Sequence, residues 1–242
     1  MVKRLAIIPA RGGSKRLPGK NIRDFCGRPM LTHILEAARG SGLFDCIHVS
    51  TDSAAIRDVA AGAGCPPQFA RPDFLADDRT PLIPVLQWTV EEFARRGMRF
   101  DEAWLLMACA PLVQPEHLRL MAQRMEELGE ACKALMAVLP FPAPVQRGFL
   151  RGEDDKLRPV CAEQFATRTQ DLPVTYHDAG VVDVYRLPFL TEAKDVSWGD
   201  QFHGYPLPRW TAVDIDDDED WRFAEIVYRG LRVAASQGGS KQ

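Results

Sequence analysis

Residues 5–21 read LAIIPARGGSKRLPGKN, an uninterrupted apolar run followed by a basic, glycine-rich loop. A strand without polar alternation is buried on both faces, as in the interior of a parallel sheet. Residues 3–10 are therefore predicted as a first, central strand. In open parallel sheets ligands bind beyond the carboxyl ends of the strands, so the loop that follows is a candidate binding element. Arg11, Lys15, Arg16 and Lys20 place four positive charges within ten residues. Gly12 and Gly13 let backbone N–H groups approach an anion closely. Together these features suit a polyphosphate, with Pro18 fixing the return of the loop and so placing Lys20. A solvated basic turn is the plainer alternative. The phosphate loop of NTPases needs four residues between a glycine and Gly-Lys, then Ser or Thr. Here five residues separate Gly13 from Gly19, and Asn21 follows the lysine. The dinucleotide pattern G-x-G-x-x-G is absent as well.

Outward from this strand, short apolar runs alternate with segments of helical period, the pattern of an α/β domain with a mostly parallel sheet. Helices are predicted over 29–39, 53–61, 81–96, 114–128 and 221–231. Further strands are predicted at 46–52, 103–112 (the most hydrophobic run), 134–139, 179–187 and 210–216. From residue 140 to about 173 the chain is rich in Pro, Arg, Gly and acidic residues and loses its period. Such a stretch is too long for a simple connection. It reads as an excursion of a single domain, spanning 140–178, that pairs with a second subunit.

A net charge of −3 excludes a general nucleic-acid or anionic-membrane surface, so the basic loop is read as a site. Cys26, Cys46, Cys65, Cys109, Cys132 and Cys161 show no Cys-x-x-Cys spacing; neither a zinc site nor a disulfide framework is suggested, and buried reduced thiols are expected. With no signal-peptide core and no transmembrane-length run, a cytoplasmic protein without membrane contact is expected. His33, His48, His117 and His203 lack metal-ligand spacing and are read as structural.

IIPARGGSKRLPGKNI resembles the nucleotide-binding signature of the acylneuraminate cytidylyltransferase family, the CMP-sialic acid synthetases. FDCIHVSTDSAAI, ARPDFLADDRTPLIPVL and AVDIDDDEDWRFAE resemble later family segments in the same order, from the second strand to the last helix. RTQDLPVTYHDAG is most similar to the pseudaminic acid branch, which usually continues Gln-Phe-Tyr where this chain has Val181-Val182-Asp183. Met107 stands where sialic acid enzymes carry a glutamine. The resemblance implies a three-layer, Rossmann-like nucleotidyltransferase fold with a protruding dimerisation excursion. It implies nucleotide contacts from Ala10, Arg11, Gly12, Gly13, Ser14, Lys15, Lys20, Asn21, Arg71, Asp78 and Thr80, with Arg11 and Lys20 catalytic.

Asp214 and Asp216 are two apart in an apparent strand, where period two puts both carboxylates on one face. Two hard oxygen donors suit Mg²⁺, which takes few protein ligands together with water and phosphate oxygens. The resemblance implies the same role, with Mn²⁺ a substitute and a second ion accommodated on the pyrophosphate. Asp217, Asp218, Glu219 and Asp220 are read as favouring the N-terminus of the last helix. Asp52 is either a ribose, base or metal-water contact or a helix cap. Asp77, Asp78 and Thr80 face the cytosine by resemblance, with at least one a plain cap.

A planar guanidinium is the natural partner of a nonulosonic acid carboxylate. By resemblance that is Arg168, reaching across a dimer interface, with Gln170, Tyr176, His177 and Asp178 around the sugar. The expected reaction joins CTP to a nonulosonic acid, pseudaminic acid or a related sialic-type sugar, and releases pyrophosphate. The same reaction on 3-deoxy-manno-octulosonate or N-acetylneuraminate, and a non-catalytic nucleotide-binding domain, are the alternatives. A homodimer is expected.

Overall fold

The computed structural model describes residues 2–14, 16–77, 79–192 and 201–238. The first strand, β1 (Arg4–Pro9), has Leu5, Ala6, Ile7 and Ile8 fully buried. A short antiparallel pair, β2 (Asp24–Phe25) and β3 (Arg28–Pro29), leads into α1 (Met30–Ser41). Then come β4 (Cys46–Ser50), α2 (Ala54–Gly62), α3 (Leu82–Arg95), β5 (Glu102–Leu106), α4 (Pro115–Leu128) and β6 (Ala134–Pro140). The excursion carries a hairpin of β7 (Phe149–Arg151) and β8 (Leu157–Pro159). The chain closes with β9 (Tyr176–Arg186), α5 (Leu187–Glu192), β10 (Phe202–Pro206) and α6 (Asp218–Gly238).

The main sheet has the order β10-β6-β9-β5-β1-β4. Parallel pairing joins β1 to β4 and β5, and β10 to β6, while β9 runs antiparallel to both β5 and β6. The reversed direction has a simple cause. β6 delivers the chain to the carboxyl edge of the sheet, and the excursion returns it to that edge, where Phe141 N–H donates to the Thr175 carbonyl at 3.0 Å. With no helix crossing over the sheet, the next strand can only run back. Apolar layers cover both faces. Leu31, Ile34, Leu118 and Met121 of α1 and α4 pack on one, and Leu86, Phe93 and Leu190 of α3 and α5 on the other. A third cluster seats Trp221, Ala224 and Tyr228 of α6 on Phe25, Met30 and Leu112.

Two expected strands differ. The run 103–112 is strand only to Leu106; beyond it the chain turns through Ala108 and Cys109, with Ala108, Ala110 and Leu112 buried in loop packing. Residues 210–216 are not a strand, because no neighbour pairs with them and Trp210 is 57% exposed. β10 was not expected, being an edge strand of sequence FHGYP whose glycine and proline carry no alternating signal. The acidic run caps α6 as expected. Asp217 accepts from the N–H groups of Glu219 (2.8 Å) and Asp220 (3.0 Å), and Asp220 reaches back to the Asp217 N–H at 3.2 Å. His117 completes the capping box of α4 with Gln114, and His33 and His48 are buried. Burial holds these two neutral, the imidazoles pushed down to about 4 and about 3.

One ion pair ties the lower edge of the sheet. Arg4 Nε donates to Glu102 at 3.0 Å, and the Trp104 indole donates to the same carboxylate at 3.1 Å, with Glu102 1% exposed. Glu102→Ala would leave the Arg4 Nε–H and the Trp104 indole N–H without their shared acceptor, while the Arg4 guanidinium keeps Glu126 at 2.6 Å. Two donors left without an acceptor should cost about 2 kcal/mol, read as a lowered urea midpoint; a loss below about 1 kcal/mol would mean that the site relaxes freely.

Candidate active site

A cleft of about 590 Å³ opens at the carboxyl ends of β1, β4 and β5, beside Gly180 of β9. Its basic wall is the loop after β1. Lys20 N–H donates to the Leu17 carbonyl at 3.1 Å around Pro18 and Gly19, and Gly19 has φ +67°. This is a turn with proline at its second position and a positive-φ glycine at its third, chemistry that few other residue pairs supply. The turn aims Lys20 inward, where its Nζ donates to the Ile215 carbonyl at 2.8 Å and lies 3.9 Å from Asp216 Oδ1. Arg16 pairs with Asp216 at 2.6 Å, and Arg23 with Asp218 at 2.8 Å. The Arg11 guanidinium donates to the Asp77 carbonyl at 3.0 Å.

Gly12 is favoured by close approach: a Cβ there would lie 3.1 Å from that of Ser53, tighter than most such contacts. Its N–H donates to Asp52 Oδ1 at 3.0 Å, so Asp52 ties the loop to the end of β4. The α2 N-terminus at Ser53 has no side-chain cap hydrogen bond. Arg71, 6% exposed, donates to Ser50 Oγ (3.1 Å) and the Ser50 carbonyl (2.6 Å). Burial pulls this guanidinium down to about 10, against the opposing charge of Asp52. Asp77 Oδ1 accepts from the Arg79 N–H, the Thr80 N–H and the Thr80 hydroxyl, at 2.9, 2.7 and 2.7 Å. It thus shapes the turn before α3.

Of the residues singled out by sequence, Arg11, Ser14, Lys20, Asn21, Arg71, Thr80 and Asp214 line the cleft. Ala10 is buried behind it, and Gly12 acts through Asp52. Gly13 is exposed on the loop, and Asp216 stands beside the lining, held by Arg16 and Lys20. Lys15 and Asp78 lie outside the described residues. Asp214 and Asp216 are neighbours through an irregular segment and not through strand period. Desolvation and then the charge of Asp216 push the Asp214 carboxyl above the usual range.

The proposed sugar contacts are not gathered here: none of Arg168, Gln170, Tyr176, His177 and Asp178 lines the cleft of its own chain. Arg168 pairs with Asp171 at 3.0 Å, His177 Nδ1 is 2.8 Å from the Asp178 carbonyl, and Asp178 accepts from the Gly180 N–H at 2.7 Å. Gly180 alone carries β9 to the cleft wall. Arg16, one of the four loop cations expected to suit a polyphosphate, lines the cleft; sequence reasoning missed the apolar wall of Leu75, Leu82 and Val85, and Cys109, a cleft residue among thiols expected to be merely buried.

A cytidylyltransferase family model matches residues 5–187. The chain belongs to this family. As a cytidylyltransferase it is a nucleotidyltransferase enzyme. It is 34% identical over 228 residues to a pseudaminic acid cytidylyltransferase of Campylobacter jejuni, covering 94% of this chain and 97% of the relative. It is 30% identical over 227 residues to a CMP-N,N'-diacetyllegionaminic acid synthase of Legionella pneumophila, covering 91% and 94%. Among solved structures, a CMP:2-keto-3-deoxy-manno-octonic acid synthetase complexed with CTP superposes with a TM-score of 0.72 at 16% identity, covering 95% and 99%. That likeness supports the Rossmann-like cytidylyltransferase fold.

One buried carboxyl lies below the cleft of this cytidylyltransferase. Asp183 pairs in register with Leu105, two residues before the cleft residue Met107. Its Oδ2 accepts from the Tyr185 hydroxyl at 3.2 Å, while its buried Oδ1 has no hydrogen-bond partner among the described residues. Burial, and then the charge of Asp178, push this carboxyl from 3.8 up to about 7. The folded value lies above the unfolded one, so the folded state keeps a proton that the unfolded chain releases. The associated stability is complete below about pH 4 and is lost as pH rises to about 7. Asp183→Asn should therefore gain on the order of 2 kcal/mol more over the parent at pH 8 than at pH 5. Urea midpoints of the two proteins measure this, and a gap that does not widen with pH would contradict it.

Proposed function

We propose that this enzyme transfers CMP from CTP to the anomeric hydroxyl of a nonulosonic acid, with pseudaminic acid the first candidate, and releases pyrophosphate. The observation that carries the reading is the meeting, across one cleft, of the basic loop after β1 with the Asp214–Asp216 segment. The 34% identity to a pseudaminic acid enzyme over nearly the whole chain supports the choice of sugar.

Phosphoryl transfer of this kind leaves little covalent work to the protein, so positioning and neutralisation of charge dominate. Arg11, Ser14, Arg16 and Lys20 hold the triphosphate, and the glycine backbone lets it approach. Lys20 and Arg16, now paired with Asp216, exchange that partner for phosphate oxygens; Lys20 and Arg11 then stabilise the negative charge on the departing pyrophosphate. Leu75, Leu82 and Val85 offer an apolar wall to the base, with Arg71 and Thr80 at its polar edge. Asp214 and Asp216 fit a hard divalent cation: they are two adjacent carboxylates, one with a raised affinity for protons, facing the phosphate loop. Among the described residues no third His, Cys, Asp or Glu joins them in a metal-holding group, as suits an ion completed by water and phosphate. When bound, Mg²⁺ or Mn²⁺ there would supply Lewis-acid polarisation of the phosphate.

The excursion supports a homodimer. Leu150, Leu157 and Val174 are 65%, 59% and 71% exposed, although a lone two-stranded hairpin is only marginally stable in water. A second copy covering this apolar surface would bring Arg168 and Gln170 toward the partner's cleft. Among the described residues no helix is long and apolar enough to cross a membrane. The six free cysteines support work in a reducing cytoplasm.

Pyrophosphate release from CTP should be seen with pseudaminic acid or with a legionaminic, sialic or 3-deoxy-manno-octulosonic counterpart, and not from ATP, GTP or UTP. Inactivity with every sugar would refute the transferase reading. Asp216→Ala should remove Mg²⁺-dependent release by at least about 100-fold; near-normal turnover would sink the metal assignment. Light scattering should give twice the chain mass, and a monomer at micromolar concentration would remove the role given to the excursion.

A further inference from the structure

The loop after β1 is tied not only to β4 and to residues 214–216 but also to the turn after β5. Asn21, 7% exposed, donates through Nδ2 to the Arg11 carbonyl at 3.1 Å, and the Cys109 thiol lies 3.3 Å from Asn21 Oδ1. The main-chain carbonyl of Asn21 accepts from the Leu31 N–H at 2.8 Å, anchoring the residue at the start of α1. Polarity is forced at each step. A peptide carbonyl only accepts, so the amide must turn its NH₂ to Arg11 and its oxygen to Cys109. That oxygen in turn only accepts, so the thiol must donate. Burial pushes the Cys109 thiol up to about 11, which keeps its proton in place at neutral pH.

We propose that Cys109 is a positioning residue of the nucleotide site, its thiol orienting the Asn21 amide and thereby holding the Arg11 carbonyl and the phosphate loop in register. Asn21 and Cys109 both line the cleft with Arg11 and Lys20. With the donor removed, the amide oxygen has lost its partner in a largely desolvated corner, and the amide is free to rotate away from Arg11. The loop then keeps its charges but loses its set position, so the deficit falls on CTP and not on the sugar. This inference rests on the reading of the cleft as the CTP site.

The test compares Cys109→Ala, Cys109→Val, Cys109→Ser, Asn21→Ala and the Asn21→Ala/Cys109→Ala double variant, with Lys20→Ala alongside, in the pyrophosphate-release assay. Cys109→Ala should raise KM for CTP by about three- to tenfold, the worth of one neutral hydrogen bond, with KM for the sugar within about twofold of the parent's. Cys109→Ser, which keeps a donor, should restore the CTP value to within about twofold. The double variant should be no worse than Asn21→Ala, because both changes cut the same link. If Cys109→Ala fails to fold by thermal melting, Cys109→Val, which fills the site without a donor, takes its place. An unchanged KM for CTP, a serine variant as impaired as alanine, or additive losses would each overturn the proposal. Lys20→Ala separates the two readings: weakened CTP use there beside an unaffected Cys109→Ala rejects only the thiol link, whereas unaffected CTP use in Lys20→Ala rejects the cleft as the phosphate site.

Discussion

Lys20 and Ile215 meet at 2.8 Å although 195 positions separate them in the chain. This contact, with the Arg16–Asp216 pair beside it, closes a positively charged loop onto a negatively charged segment that the third core cluster also anchors through Leu17 and Ile215. The loop is a four-cation stretch that repels itself, and the segment before α6 pairs with no strand. Each supplies the counter-charge of the other, and with Arg16 mostly exposed and Asp216 and Lys20 partly so, the pairing is of the weak, exchangeable kind. That suits a site where the cations must leave their protein partners for a polyanion.

The sheet makes this meeting possible. β1, β4 and β5 are parallel, so their carboxyl ends converge on one edge, and three loops of different sequence origin share one cleft. β9 enters from that same edge because the excursion never crosses the sheet. Gly180 therefore lies against the cleft, while the far end of the strand is buried under α5. α6 then packs Trp221 and Tyr228 on Phe25 and Met30, which fixes the acidic segment opposite the loop.

Much of the fold was legible because its signals are local. The unbroken run Leu5 to Ile8 can only be a doubly buried strand, and the helices follow from their apolar period. The turn at Pro18-Gly19 was readable for the same reason: its backbone demands are met by those two residues themselves. The readings that failed lacked a local cause. Residues 210–216 have a strand's composition but no partner edge, and β10 has a partner edge but no strand composition. Cys109 looked like any other buried thiol, because what distinguishes it is the amide of Asn21, 88 residues earlier.

The sequence by itself determined the α/β alternation, the phosphate-suited loop, the capped acidic entrance to the last helix and the family. All of these depend on periodicity, on backbone preferences of particular residues, or on motifs contiguous in the chain. Only the tertiary structure decided that Asp214 and Asp216 become neighbours without a strand, that Asp52 braces the loop through Gly12, and that the residues expected at the sugar stand away from the cleft of their own subunit. Those are matters of distance between segments far apart in the chain. Such distances are set by how the layers pack on the sheet, and no window of sequence contains them.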